Sequence, residues 1–186
     1  MRTVAGSTPA DAINAELLDL VAAGINVVQI DEPYLQANAE SARQFAVEAI
    51  NRAVAGVSGA TTVLHTCYGY AVYVKNKSGG YPYLAELADA QVDQIAVEAA
   101  QPGLDLALLA PLATKKIVLG VLDLSTDVVE TVEQVAGRIR AAFTHIAPER
   151  LVLAPDCGMK FLPRAVAFGK LSAMVEAASL VRAELG

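Results

Sequence analysis

His65-Thr66-Cys67 sets an imidazole and a thiol two positions apart. On an extended strand alternate side chains point to the same side, so both can reach one ion. Zinc accepts such a pair, and Glu98 with the second cysteine, Cys157, would complete a tetrahedral His-Cys-Glu-Cys set of soft and borderline donors. From residue type alone a second account stays open, with Cys67 and Cys157 as small buried hydrophobes and His65 as a core histidine bonded to a carbonyl. Other chemistry is poorly supplied. Neither His65 nor His145 is paired with a Gly-x-Ser-x-Gly elbow, and no Gly-x-Gly-x-x-Gly follows a strand to cradle a dinucleotide. His145, late in a helical stretch, reads as solvated or as stabilising the helix dipole.

Each candidate stands where an apolar run stops. Val27 to Ile30 ends in Asp31-Glu32-Pro33, Thr61 to Leu64 in His65-Thr66-Cys67, Gln94 to Val97 in Glu98, Lys116 to Leu122 in Asp123, and Leu151 to Ala154 in Pro155-Asp156-Cys157. These five runs read as strands, and helical patterns lie between them. Ser7-Thr8-Pro9 with Asp11 opens one helix, and Ser125-Thr126-Asp127 opens another over Val128 to Ala142. A last helix runs on from Pro163, with Val166, Phe168, Leu171, Val175, Ala178, Val181 and Leu185 as its inward face, while Arg164, Lys170, Glu176 and Arg182 fall largely elsewhere.

Apolar strands alternating with helices predict a parallel sheet and an α/β class. Two closures are available, an open doubly wound sheet and a (β/α)8 barrel of the TIM type. Only the barrel brings Asp31, His65, Cys67, Glu98, Asp123 and Cys157 to one mouth, because there the C-terminal strand ends converge. Five βα units against the eight of a closed barrel predict a partial barrel, a single domain over residues 1–186. Its unpaired edges call for self-association or a partner chain that completes it, unless the chain is a fragment of a longer protein.

Composition narrows the class further. With 54% apolar and 18% charged residues the chain can bury a real core, and a net charge of −6 with no basic run argues against nucleic acid and anionic membranes as partners. Mean hydropathy is +0.42, yet a charged or amide side chain interrupts every apolar run well short of the roughly 20 residues of a membrane span. Met1 to Ser7 carries no apolar export signal, so a cytoplasmic location is expected, and there a Cys67–Cys157 disulfide is disfavoured.

Val28-Gln29-Ile30-Asp31-Glu32-Pro33, His65-Thr66-Cys67-Tyr68, the strand ending in Glu98, and Pro155-Asp156-Cys157-Gly158-Met159-Lys160 together resemble a known set of motifs. In order and approximate spacing they are similar to the catalytic barrel of the cobalamin-independent methionine synthase family, from about Ala10 to Leu185. The resemblance implies the C-terminal part of that barrel, a Zn²⁺ cofactor, and transfer of a methyl group to the thiol of homocysteine to form methionine. It implies His65, Cys67, Glu98 and Cys157 as zinc ligands, with Glu98 the labile one. It also implies Asp31, with Glu32 beside it, as the holder of the substrate's amino group and so as a catalytic carboxylate; Asp156, adjacent to a ligand, reads as a second catalytic carboxylate that fixes a ligand or as a helix cap.

The implied methyl donor is 5-methyltetrahydrofolate or a corrinoid. Folate-using members of the family carry a histidine where this chain has Ser125, and a methyl on a tertiary amine leaves poorly unless the nitrogen is protonated. Two alternatives accompany the resemblance: a thiol-to-epoxide transferase of the coenzyme M type, and a non-catalytic barrel remnant whose zinc serves stability. Asp123 reads as a helix cap, and Lys160 and Arg164 as charges balancing acidic neighbours. The Tyr- and Gly-rich stretch from Tyr68 to Tyr83 reads as a loop with packed tyrosines or as a lid with a proton-donating Tyr.

Overall fold

A computed structural model describes residues 8–70, 73 and 80–186. Thr8 opens helix α1 (Pro9–Ala22) as its composition predicts, with its N–H donating to Asp11 Oδ2 at 2.7 Å and proline in the first turn. Strand β1 (Val27–Asp31) follows, then three short helices, α2 (Tyr34–Ala37), α3 (Ala39–Ala42) and α4 (Ala46–Ala53), the last packed on α1. The remaining strands are β2 (Thr61–Thr66), β3 (Gln94–Val97), β4 (Lys116–Leu122) and β5 (Leu151–Pro155), with α5 (Val132–Ala142) between the last two and α6 (Arg164–Leu185) at the end. All five predicted strands are present within two residues of their predicted bounds. The connections from β2 to β3 and from β3 to β4 carry only the 3-10 turns Glu86–Asp89 and Leu106–Leu112 where described, and Pro111 inside the second denies it an α-helical ladder.

Every strand pair is parallel and the order is β1-β2-β3-β4-β5. A doubly wound sheet reverses its strand order at a switch point; a strictly sequential order is that of a barrel wall. The register aligns Asp31 with His65, His65 with Ala96, and Ala96 with Val118, so one row of side chains crosses four strands. Against the other face Leu64, Ile95, Ile117 and Leu119 bury themselves with Ile139 of α5 and Val181 of α6. Among the described residues β1 and β5 each pair on one side only. Val27 beside the first edge is 55% exposed, and Val152 on the second is also exposed. No described helix is long and apolar enough to cross a membrane.

Two helices depart from expectation, for one reason. α5 begins at Val132, not Val128, because Thr131 and Gln134 form its capping box and the preceding residues are held by a buried ion pair. Lys170 is fully buried, and its three donors reach Asp123 O (2.8 Å), Val128 O (2.6 Å) and Glu130 Oε2 (2.9 Å). The other oxygen of Glu130 accepts from Asp123 N–H (2.8 Å) and Arg138 (3.3 Å). Burying the lysine turns α6, so its inward face is Lys170, Ala173, Ala177, Ala178 and Val181, while Phe168, Leu171, Val175 and Leu185 stay exposed. Small residues on the inward face let α6 approach α5 closely.

Burial alone would raise the Glu130 pKa, but the hydrogen bonds from Lys170 and the backbone hold it below the ordinary value of 4.5. A depressed carboxylate adds stability that is present above the unfolded-state value and is lost as pH falls through the folded one. Lys170→Met should therefore cost about 3–5 kcal/mol in urea unfolding at neutral pH, because it strands the Glu130 charge. The deficit should shrink on acidification below pH ~4.5; a variant as stable as the parent at pH 7 contradicts this account.

Candidate metal centre

Alternation along β2 puts His65 and Cys67 on one face, and the same alternation along β3 carries Glu98 to the side of Ala96. Cys157 follows Pro155, the last residue of β5. The structure brings these four residues together: one donor atom from each of His65, Cys67, Glu98 and Cys157 lies within 4.8 Å of all the others. His65, Cys67 and Glu98 are buried, and Cys157 is half-buried. The two sulfurs stand 3.7 Å apart, far beyond a disulfide bond. Two zinc–sulfur bonds of about 2.3 Å at a tetrahedral angle would set them about 3.8 Å apart.

The electrostatics also favour a cation. The Cys67 and Cys157 sulfurs share a hydrogen bond. That bond, with His65 and the Gly158 N–H, outweighs burial and holds Cys157 well below the usual thiol range. Sharing with Cys157 and burial push Cys67 up, although Gly69 N–H points at its sulfur at 3.2 Å. Burial opposes a charged His65 ring, but the Cys157 sulfur, Asp31 and Glu98 more than offset it and raise the histidine's pKa. Buried His65 Nε2 has no hydrogen-bond partner among the described residues. A buried ring nitrogen with no hydrogen-bond partner, beside two sulfurs and a buried carboxylate, fits a metal ligand set.

Glu98 is braced from two directions. Tyr68 N–H donates to its Oε1 (2.8 Å), and the buried Tyr81 hydroxyl accepts from its backbone N–H (2.8 Å). The next three residues hang on Asp156, whose Oδ1 accepts from Ala99 and Ala100 N–H (both 3.0 Å) and whose Oδ2 accepts from Gln101 N–H (2.6 Å). To reach that turn from the end of β5, Asp156 passes over β4 at Gly120, where a Cβ would stand 2.2 Å from Oδ1 and 2.8 Å from its Cα. Glycine at 120 is thus a requirement of the site. Neither Tyr81 nor Gly120 is visible as a site residue in the sequence; a glycine inside a strand, marking close backbone approach, was the available signal.

Asp31 lies at the rim, its side chain 60% exposed and its Oδ1 3.6 Å from His65 Nε2. With Gln29, His65, Tyr70, Cys157 and Gly158 it lines a cleft of about 440 Å³. Glu32 does not join it: one residue further on, it lines a separate apolar cleft with Ile13 and Phe45 and accepts from Tyr34 N–H (2.8 Å). Asp123 closes a turn by accepting from the N–H and hydroxyl of Ser125 (2.8 and 2.7 Å). Tyr68, Tyr81 and Tyr83 are core residues; residues 71, 72 and 74–79 of the expected lid lie outside the described residues. Lys160 sits over the Tyr70 and Phe161 rings and pairs with no acid among the described residues.

The model of the catalytic domain of cobalamin-independent synthase matches residues 3–180. The chain is 41% identical over 181 residues to a methionine synthase of Saccharolobus islandicus, covering 95% of this chain and 50% of the relative. To that of Sulfurisphaera tokodaii it is 35% identical over 176 residues, covering 95% and 49%. It thus spans about half the length of the curated relatives it matches. Among solved structures, a B12-independent methionine synthase of a Shewanella species in complex with selenomethionine superposes with a TM-score of 0.88 at 29% identity, over 95% of this chain and 54% of that one. A sequential parallel wall, a converged donor set and these matches lead to one assignment: the chain belongs to the cobalamin-independent synthase family and carries part of its catalytic domain.

Proposed function

We propose that this chain carries the thiol-activating part of a zinc-dependent methyltransferase that transfers a methyl group to homocysteine, forming methionine. The observation that carries the reading is the convergence of His65, Cys67, Glu98 and Cys157, with sulfurs 3.7 Å apart, beside a cleft edged by Asp31. The relatives named methionine synthase, one of them in complex with selenomethionine, support the substrate class.

These four residues would hold the ion. When bound there, Zn²⁺ supplies a Lewis acid that makes a thiol of pKa about 8.5 a thiolate nucleophile at neutral pH. Two cysteine sulfurs and the Glu98 carboxylate bring more negative charge than a dication carries, so the substrate sulfur keeps its electron density. Glu98 has the Tyr68 amide as a second partner for Oε1, which suits the ligand that gives way to the incoming thiol. Asp31, exposed at the rim, binds the ammonium group of homocysteine. Asp156 serves the reaction by positioning, through the turn after Glu98, and Glu32 by fixing the turn after Asp31. The Ser125 hydroxyl is spent on Asp123, which leaves no proton donor at that position for a departing folate nitrogen and favours a corrinoid donor over 5-methyltetrahydrofolate. The open edges of β1 and β5, with Val27 and Val152 exposed, support completion of the wall by a second copy, a partner chain or further residues of a longer polypeptide.

In calorimetric titration of the zinc-loaded chain, Asp31→Asn should weaken homocysteine binding about ten-fold and leave coenzyme M binding nearly unchanged. Preference of the parent for coenzyme M would favour epoxide chemistry, and no thiol binding at all would mark a remnant. In sedimentation equilibrium at micromolar concentration the chain should run heavier than one copy or gain mass with its partner. A stable lone monomer that takes up no partner contradicts completion by a second copy or a partner chain.

A further inference from the structure

Cys67 and Cys157 leave the sheet on β2 and β5, which β3 and β4 separate. Strands three places apart in a flat sheet are about 14 Å apart, at roughly 4.8 Å per spacing. Curvature brings the two ends nearer, yet each sulfur sits on a connecting loop, and loops are where local opening is easiest. Holding the sulfurs 3.7 Å apart needs a contact between those loops.

An aromatic cluster provides one, a few residues past each sulfur. The Tyr70 ring meets Phe161 edge to face, with centroids 5.0 Å apart at 85°, and Tyr73 meets the same Phe161 ring at 5.5 Å and 83°. Lys160 Nζ lies 4.5 Å from the Tyr70 centroid and 5.0 Å from that of Phe161. The loop backbone closes onto the same ring, since a Cβ at Gly158 would stand 3.4 Å from Tyr70 Cε1. Edge-to-face geometry and a cation over the ring face are both directional, so the cluster fixes the approach of one loop to the other.

We propose that Tyr70, Lys160 and Phe161 form a latch between the two sulfur-bearing loops that sets the separation of Cys67 and Cys157. Tyr70 and Phe161 are then positioning residues for the metal centre. A latched pair of loops meets the ion already ordered, so binding does not have to order them. The ring of Tyr70 does this work and its hydroxyl is not needed. Phe161 is 45% exposed, so its loss leaves the core intact.

The metal readout rests on the zinc reading above; a second readout does not. Zinc affinity by chelator competition and the visible spectrum of the cobalt-substituted full chain would be compared for the parent, Tyr70→Phe, Tyr70→Ala, Phe161→Leu and Phe161→Ala. In parallel, the metal-free proteins would be treated with diamide, an azo oxidant that takes up the two protons and two electrons released as Cys67 and Cys157 join. Both alanine variants should bind zinc about ten-fold more weakly and cross-link several-fold more slowly, with an altered cobalt spectrum and a nearly unchanged urea midpoint. Tyr70→Phe should match the parent, and Phe161→Leu should lie between. Parent-like affinity, spectrum and cross-linking in the alanine variants overturns the latch, as does a Tyr70→Phe variant as impaired as Tyr70→Ala. A parent that binds no zinc sinks the metal reading alone, and the cross-linking rates still decide the latch.

Discussion

Four donors from distant parts of the chain converge because five strands run the same way in sequential order, so every carboxyl end lies on one rim. The register then does the finer work, setting Asp31 against His65 and His65 against Ala96. Strand pairing alone does not place Glu98 or the turn that follows it. That falls to Asp156, which reaches from β5 across Gly120 to three backbone amides beyond β3 and so ties the Cys157 segment to the Glu98 segment. Movement at either ligand is felt at the other through one carboxylate.

Two of the buried charged clusters among the described residues are handled differently. Lys170 and Glu130 are matched in sign, and every Lys170 proton has an acceptor, so the pair closes on itself and joins α6 to the end of β4. At the candidate metal centre Glu98 and two sulfurs crowd a histidine whose Nε2 has no hydrogen-bond partner among the described residues. Gathering that much buried negative potential around one imidazole is costly. A dication there would offset that cost, which would add to the site's affinity for metal.

Strand positions were legible because apolar, β-branched runs stop abruptly at polar residues, and the four converging candidate donors were legible because they stand at those stops. The inward face of α6 was not, since periodicity assigns Phe168 and Val175 to the core and Lys170 to solvent. Only the acceptors gathered from Asp123, Val128 and Glu130 make burial of the lysine favourable, and they come from a loop some forty residues earlier in the chain. That network and the capping box at Thr131 also moved the start of α5. Glu32 illustrates a third limit. Adjacent to Asp31 in a shared motif, it faces the other cleft, because alternation along an extended segment separates neighbours that a motif groups together.

The most direct test of a thiol-activating zinc centre is the zinc content and zinc-edge X-ray absorption of the purified chain, with and without homocysteine, alongside Cys157→Ser. The account predicts near-stoichiometric zinc with two sulfur neighbours in the parent, a third when homocysteine is added, and fewer sulfurs with poorer retention in the variant. A chain that holds no zinc, or zinc whose sulfur count is indifferent to homocysteine, contradicts it.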